Sequence, residues 1–237
     1  MTKSSIDEFA DEYGAPVEFV PANDAADLAI NSALPPRLFT YWHRIGFSKF
    51  LDGYFQILNP SDYREVVRSW LAGTPFSSTD RYHAISMDCF GNLKLWGEET
   101  GHVIDILPSF HAIYNNERNS RDQIKQGRGD RMIEDLIFVA LPENITPDSN
   151  DINIRLFFAA KEKLGVLGPN QIYAPVPAIP LGGQMRIEDL QIVDAPEYLA
   201  MVGDLAPVRV ITIADLARMA YGYGEGAEKT LDGLLKK

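Results

Sequence analysis

The chain has 237 residues, of which 46% are hydrophobic and 23% charged, with one cysteine and a net charge of −11. That composition supports a buried core in one large or two modest domains and excludes a wholly disordered chain. A lone thiol, Cys89, excludes an internal disulfide scaffold. The acidic balance argues against unaided binding to nucleic-acid phosphates and suits a partner that is itself basic.

Met1 to Ser5 runs straight into Asp7, Glu8, Asp11 and Glu12, leaving no apolar core for an export signal. The longest uncharged run, residues 164–185, contains Pro169, Pro175, Pro177, Pro180 and four glycines, which no membrane-spanning helix accommodates. Together with the single cysteine, this predicts a protein of the reducing cytoplasm with no membrane association.

In chain order, Ser5-Ile6-Asp7-Glu8 fits a capping box for a short helix through Tyr13. Pro35-Pro36 opens a second helix with Leu38, Tyr41, Trp42 and Ile45 on one face and Gly46 at its end. Tyr54 to Leu58 reads as a short strand. Asn59-Pro60 then supplies a cap and first residue for a helix marked by Tyr63, Val66, Val67, Trp70 and Leu71. Beyond Gly73-Thr74-Pro75 the period changes to two. Strands at Tyr82–Asp88, Leu93–Trp96 and His102–Leu107, joined by turns at Phe90-Gly91-Asn92 and Glu98–Gly101, predict an antiparallel meander.

Met132–Leu141 is compatible with helix or strand. Asp148 or Ser149 starts a helix carrying Ile152, Leu156, Phe157 and Leu164 that stops at Gly165. Ile172–Leu181 is too rich in proline for a central strand and is placed at an edge, followed by a Gly182-Gly183 turn. Asp194-Ala195-Pro196-Glu197 opens a helix, Val208–Ile211 reads as a strand, and Thr212 caps a last helix ending near Tyr221. Charge follows this plan: residues 1–36 hold seven acids and one base, whereas residues 116–131 hold five bases (Arg118, Arg121, Lys125, Arg128, Arg131) and three acids. The expected class is α+β in two domains, an N-terminal antiparallel meander with packed helices and a C-terminal mixed α/β domain. The boundaries are residues 1–115, a linker or long loop at 116–130, residues 131–223, and a loose tail at 224–237.

A search for chemistry returns negatives. There is no phosphate-binding glycine loop and no nucleophile elbow. The alternating glycines at 222, 224 and 226 have the wrong spacing for a dinucleotide fingerprint and follow a helix. His43, His83, His102 and His111 show no metal-ligand spacing, and His102 and Asp105, three apart on a strand, are expected on opposite faces. No catalytic, cofactor or metal residue is therefore assigned. The basic stretch Arg118–Arg131 lacks interleaved aromatics for nucleic-acid stacking and reads as a solvated linker or an internal partner for the acidic N-terminal segment. Trp42, Trp70 and Trp96 read as core anchors.

The segment Asp52-Gly53-Tyr54-Phe55-Gln56-Ile57-Leu58-Asn59-Pro60-Ser61-Asp62-Tyr63, then Trp70, then Phe90-Gly91-Asn92-Leu93-Lys94-Leu95-Trp96, resembles the GAD-like domain. The stretch from Lys163 through Gly168-Pro169-Asn170-Gln171-Ile172-Tyr173, with Pro177-Ala178, Leu181-Gly182-Gly183 and Glu188-Asp189-Leu190, is similar to the domain that follows it in immunity proteins of type VI secretion DNase effectors. The resemblance implies a non-enzymatic bacterial inhibitor. It would bind a cognate DNase toxin through the toxin's basic DNA-binding surface, with no cofactor and no direct contact to nucleic acid. Projecting turns make Glu98, Glu99, Glu188 and Asp189 the candidate partner-binding residues. The alternative is a ligand-binding protein or enzyme with a site near the Pro-rich segment 172–181, between the domains.

Overall fold

The computed structural model describes residues 9, 13–23, 32–118, 120–139 and 145–221. Of the predicted first helix, Phe9 and Tyr13 are among these, and both are helical and buried. The rest of that helix, the glycines at 222–226 and the tail lie outside the described residues.

Helix α1 spans Pro36–Ile45 and follows its sequence signals closely. Pro36 stands in the first turn, where a missing N–H costs nothing, and Leu38, Tyr41, Trp42 and Ile45 form one buried stripe. Gly46 ends it at φ 65°, donating its N–H to the Trp42 carbonyl, and a β-carbon there would run into the Val20 carbonyl.

Strands β1 (Lys49–Phe50) and β2 (Phe55–Ile57) pair antiparallel. The next helix, α2, spans Arg64–Leu71 and begins later than Asn59-Pro60 suggests. The Asn59 side chain accepts from the Ser61 N–H (3.1 Å) and its carbonyl from the Asp62 N–H (3.1 Å), so the asparagine closes a turn rather than capping the helix. The expected face, Tyr63, Val66, Val67, Trp70 and Leu71, is buried throughout.

Strands β3 (Tyr82–Asp88), β4 (Leu93–Gly97) and β5 (Ile104–Leu107) form the expected meander. A short 3₁₀ turn, Pro108–Phe110, leads to an unexpected strand β6 (Ala112–Asn115). Residues 116–130, expected as linker or loop, instead hold helix α3 (Arg121–Lys125) and the start of α4 (Gly129–Val139). Helix α4 also resolves the ambiguity at Met132 in favour of helix.

Helix α5 (Ile152–Leu164) is capped by Asp151, whose carboxylate accepts from the Asn153 N–H (2.7 Å), rather than by Asp148 or Ser149. Its buried face is Ile154, Phe157 and Ala160, leaving Ile152 exposed. Strands β7 (Gln171–Pro175) and β8 (Leu190–Asp194) make a separate antiparallel pair. Asp194 caps α6 (Ala195–Leu205), accepting from the Glu197 N–H (3.0 Å). Strand β9 (Arg209–Ile211) precedes α7 (Ile213–Tyr221), where Thr212 donates both its N–H and its hydroxyl to Asp215.

The seven-stranded sheet runs β1-β2-β3-β4-β5-β6-β9, antiparallel except for β9, which lies parallel to β6. Each face carries a core. On one, Trp96 and Ile57 pack with α1, α4 and α5; on the other, Leu93, Leu95, Ile104 and Ile106 pack with α2 and α6. Both cores draw on both halves of the chain: Tyr173 and Leu190 enter the first, Ile172 and Ala174 the second.

The Gly168-Pro169-Asn170-Gln171-Ile172-Tyr173 stretch makes this junction. Asn170, at φ 52°, accepts from Gln56 Nε2 (3.1 Å) and Tyr63 Oη (3.2 Å), and its carbonyl accepts from the Ala195 N–H (2.7 Å). Beside it the buried Lys49 ammonium donates to the Gln171 carbonyl (2.8 Å), and burial lowers its pKa to about 8. Asn170→Ala is expected to destabilise the protein by about 2–3 kcal/mol. It strands the buried Gln56 amide, leaves the Tyr63 hydroxyl only the weak Met87 sulfur acceptor at 3.5 Å, and places alanine in the left-handed region. Equilibrium unfolding in urea measures this, and a loss under about 0.5 kcal/mol would show that the junction does not depend on this side chain.

Candidate functional site

The four predicted partner-binding acids fall into two separate places. Glu98 and Glu99 sit in the turn after β4, which Asp80 organises by accepting from the N–H groups of Glu99 (3.0 Å) and Thr100 (2.7 Å). Glu98 is tied inward, with Oε1 2.8 Å from His83 Nε2 and 3.5 Å from Arg81, and its side chain is only 18% exposed. Glu99 projects, 69% exposed, and pairs with Arg121 of α3.

The second pair lies at the other end of the meander. The 3₁₀ turn Ile179–Leu181, just before Gly182, touches the turn Pro108–Phe110, which follows β5 at the end where Leu93 begins β4. Asp189 is held by Arg186 (2.8 Å), and its carbonyl accepts from the Val176 N–H (2.9 Å), while Glu188 is exposed. Near these acids Phe110, Val176 and Leu181 are exposed apolar side chains. Upstream, Ile172, Tyr173 and Ala174 of the Pro-rich segment are consumed by the two cores.

A polar groove opens on the sheet face that carries Trp96. Register places Lys94, Asp105 and Tyr114 directly opposite one another on β4, β5 and β6. Asp105 is buried, with Oδ2 2.7 Å from Lys94 Nζ and Oδ1 2.6 Å from His102 Nε2. Burial pushes its carboxyl pKa up, but the His102 hydrogen bond and the Lys94 charge outweigh that and hold it below its ordinary value. Burial, with help from the Asp105 charge, raises the Tyr114 hydroxyl, which stays a neutral donor at pH 7. Met132 and Leu136 of α4 and Gln123 of α3 form the opposite wall of a cavity of about 590 Å³.

The contact between His102 and Asp105 corrects the expectation that they face apart. His102 lies ahead of β5, which starts at Ile104, so strand alternation does not govern it. Of the other histidines, His43 is exposed on α1, and His83 and His111 behave as structural residues. His83 is buried against Glu98, and burial lowers its pKa despite that partner. His111 hydrogen-bonds the Ala206 carbonyl (3.0 Å) and packs on Trp70. Cys89 is buried, which pushes its thiol pKa up and leaves it unreactive. Among the described residues no cluster of His, Cys, Asp and Glu could hold a metal ion, and no helix is long and apolar enough to cross a membrane.

Sequence reasoning missed the groove. Lys94 stands between Leu93 and Leu95, and Asp105 between Ile104 and Ile106, an alternation that any sheet with one polar face shows. Opposite charges at matching offsets from the Glu98–Gly101 turn were the available signal that they pair across strands.

Two family models match the chain in order: the GAD-like domain over residues 4–109, and "T6SS immunity protein Tdi1, C-terminal" over residues 138–206. The chain therefore carries a GAD-like domain followed by the C-terminal domain of a type VI secretion system (T6SS) immunity protein family, in an α+β, two-domain arrangement. Among solved structures it is similar to Atu4351 from Agrobacterium tumefaciens, with 23% identity, a TM-score of 0.68, and coverage of 87% of this chain and 92% of that one. That likeness establishes the shared fold. No curated protein matches the chain.

Proposed function

We propose that this protein is a bacterial immunity protein that binds a cognate T6SS DNase toxin in the cytoplasm and silences it stoichiometrically, without catalysis of its own. The match of residues 138–206 to a T6SS immunity protein carries the reading. The net charge of −11 supports a partner whose DNA-binding surface is basic, because opposite charge steers such an encounter. Of the four candidate acids, Glu99 and Glu188 project from the surface toward a partner, Glu99 while paired with Arg121. Glu98 and Asp189 hold their own turns through His83 and Arg186.

The test is co-purification with a candidate toxin domain, where one is encoded beside this protein, followed by a DNA-cleavage assay. A stable 1:1 complex that abolishes cleavage is expected; cleavage that continues in excess of this protein overturns the reading. Charge reversal by Glu99→Lys with Glu188→Lys is expected to slow association about tenfold at low salt, with little change in folding. An association rate indifferent to both the reversal and added salt would remove the electrostatic part.

A further inference from the structure

The chain's one basic stretch is not absorbed by the toxin-binding reading. Residues 121–125 and 129–131 fold as α3 and the start of α4, and Arg118, Ser120 and Gln123 border the groove that exposes Lys94. The lining bases are Lys94, His102 and Arg118, and the lining acids are Asp105 and Asp135. Each oxygen of Asp105 is engaged, Oδ2 by Lys94 and Oδ1 by His102, and Asp135 lies on an exposed position of α4. Two N–H groups of Lys94 remain after its bond to Asp105. The Arg118 guanidinium and the Tyr114 hydroxyl make no hydrogen bond among the described residues, so three donor groups, Lys94, Tyr114 and Arg118, line one space with bonds still to give.

This helix-covered sheet face is mostly apolar; here it carries an ion-paired row centred on buried Asp105, with Lys94 31% exposed, and such a row contributes little net stability. The cavity, about 590 Å³, lies within the range of small-molecule sites, roughly 300–1,000 Å³, and has an apolar wall at Met132 and Leu136.

We propose that this groove binds a small organic oxyanion, a carboxylate- or phosphate-bearing molecule whose charged end sits between Lys94 and Arg118 and whose body lies on Met132 and Leu136. Asp105 is a positioning residue: it holds Lys94 and His102 in place without touching the ligand. The proposal is independent of toxin binding.

The experiment is an amide NMR titration of the full chain with three probes: benzoate, phenyl phosphate and inorganic phosphate. One of the two aromatic anions is expected to bind with a dissociation constant below about 1 mM, and inorganic phosphate at least about tenfold more weakly. Shifts should concentrate at Lys94, Tyr114, Arg118 and Gln123, and the tighter aromatic probe identifies the oxyanion. Arg118→Ala, at an exposed position, is expected to weaken binding about tenfold in a spectrum that otherwise stays folded, and Lys94→Met tests the inner donor. The proposal is overturned if no probe shifts these residues, if Arg118→Ala leaves the affinity unchanged, or if only a polyanion such as a short single-stranded DNA binds.

Discussion

Trp70→Ala is expected to destabilise the whole protein by about 3–5 kcal/mol, and to do so in one transition. Trp70 is fully buried in α2, and its indole N–H donates to the Leu199 carbonyl of α6 at 2.8 Å. The two helices approach so closely that a β-carbon on Gly203 would lie 2.7 Å from Trp70 Cδ1. Truncation removes the largest side chain of that core and the indole hydrogen bond that ties α2 to α6. The tryptophan belongs to the GAD-like segment and its acceptor to the T6SS immunity segment, so the loss falls on both. Urea unfolding followed by fluorescence and by far-ultraviolet circular dichroism should give coincident curves for wild type and variant. Two separated transitions, with only the GAD-like one moved, would mean that each segment carries its own stability.

The elements whose signals are local were legible in the sequence. Pro36 and Gly46 bracket α1 and Asp194 caps α6, because each depends on hydrogen bonds and burial within a few residues. Residues whose partners are distant were not. Asn59 has the chemistry of a helix cap, but its side chain is used one turn earlier. Strand β6 exists because β5 on one side and β9, nearly a hundred residues later, on the other complete its ladder, and nothing in Ala112–Asn115 announces them. The Gly168–Tyr173 motif was visible as a family signature; its physical role became visible only when Asn170 was seen to join Gln56, Tyr63 and Ala195. The candidate acids illustrate the same limit. A turn predicts projection for Glu99 but cannot show that His83 draws Glu98 inward.

Asp105→Ala is expected to cost about 3 kcal/mol, since it leaves the Lys94 ammonium and His102 without their buried acceptor. Lys94 is 31% exposed and can recover some water, which keeps the loss at the lower end of the range for broken buried pairs. The pH dependence has a definite sign. The folded-state pKa of Asp105 lies below its unfolded value of about 3.8, so its contribution is present above that value and is lost as pH falls through the folded one. Wild type should therefore lose this stability only below about pH 4, and the variant should lack that step. The pair Asp105→Leu with Lys94→Met is expected to return to within about 1 kcal/mol of wild type, because apolar side chains of similar volume replace a desolvated ion pair without net loss and His102, 19% exposed, can turn its ring nitrogen to water. The double variant should nevertheless have lost the donor that faces the groove. Restored stability together with lost anion binding would show that the ionic row is kept for recognition rather than for folding. A double variant as unstable as Asp105→Ala would assign the row to the core.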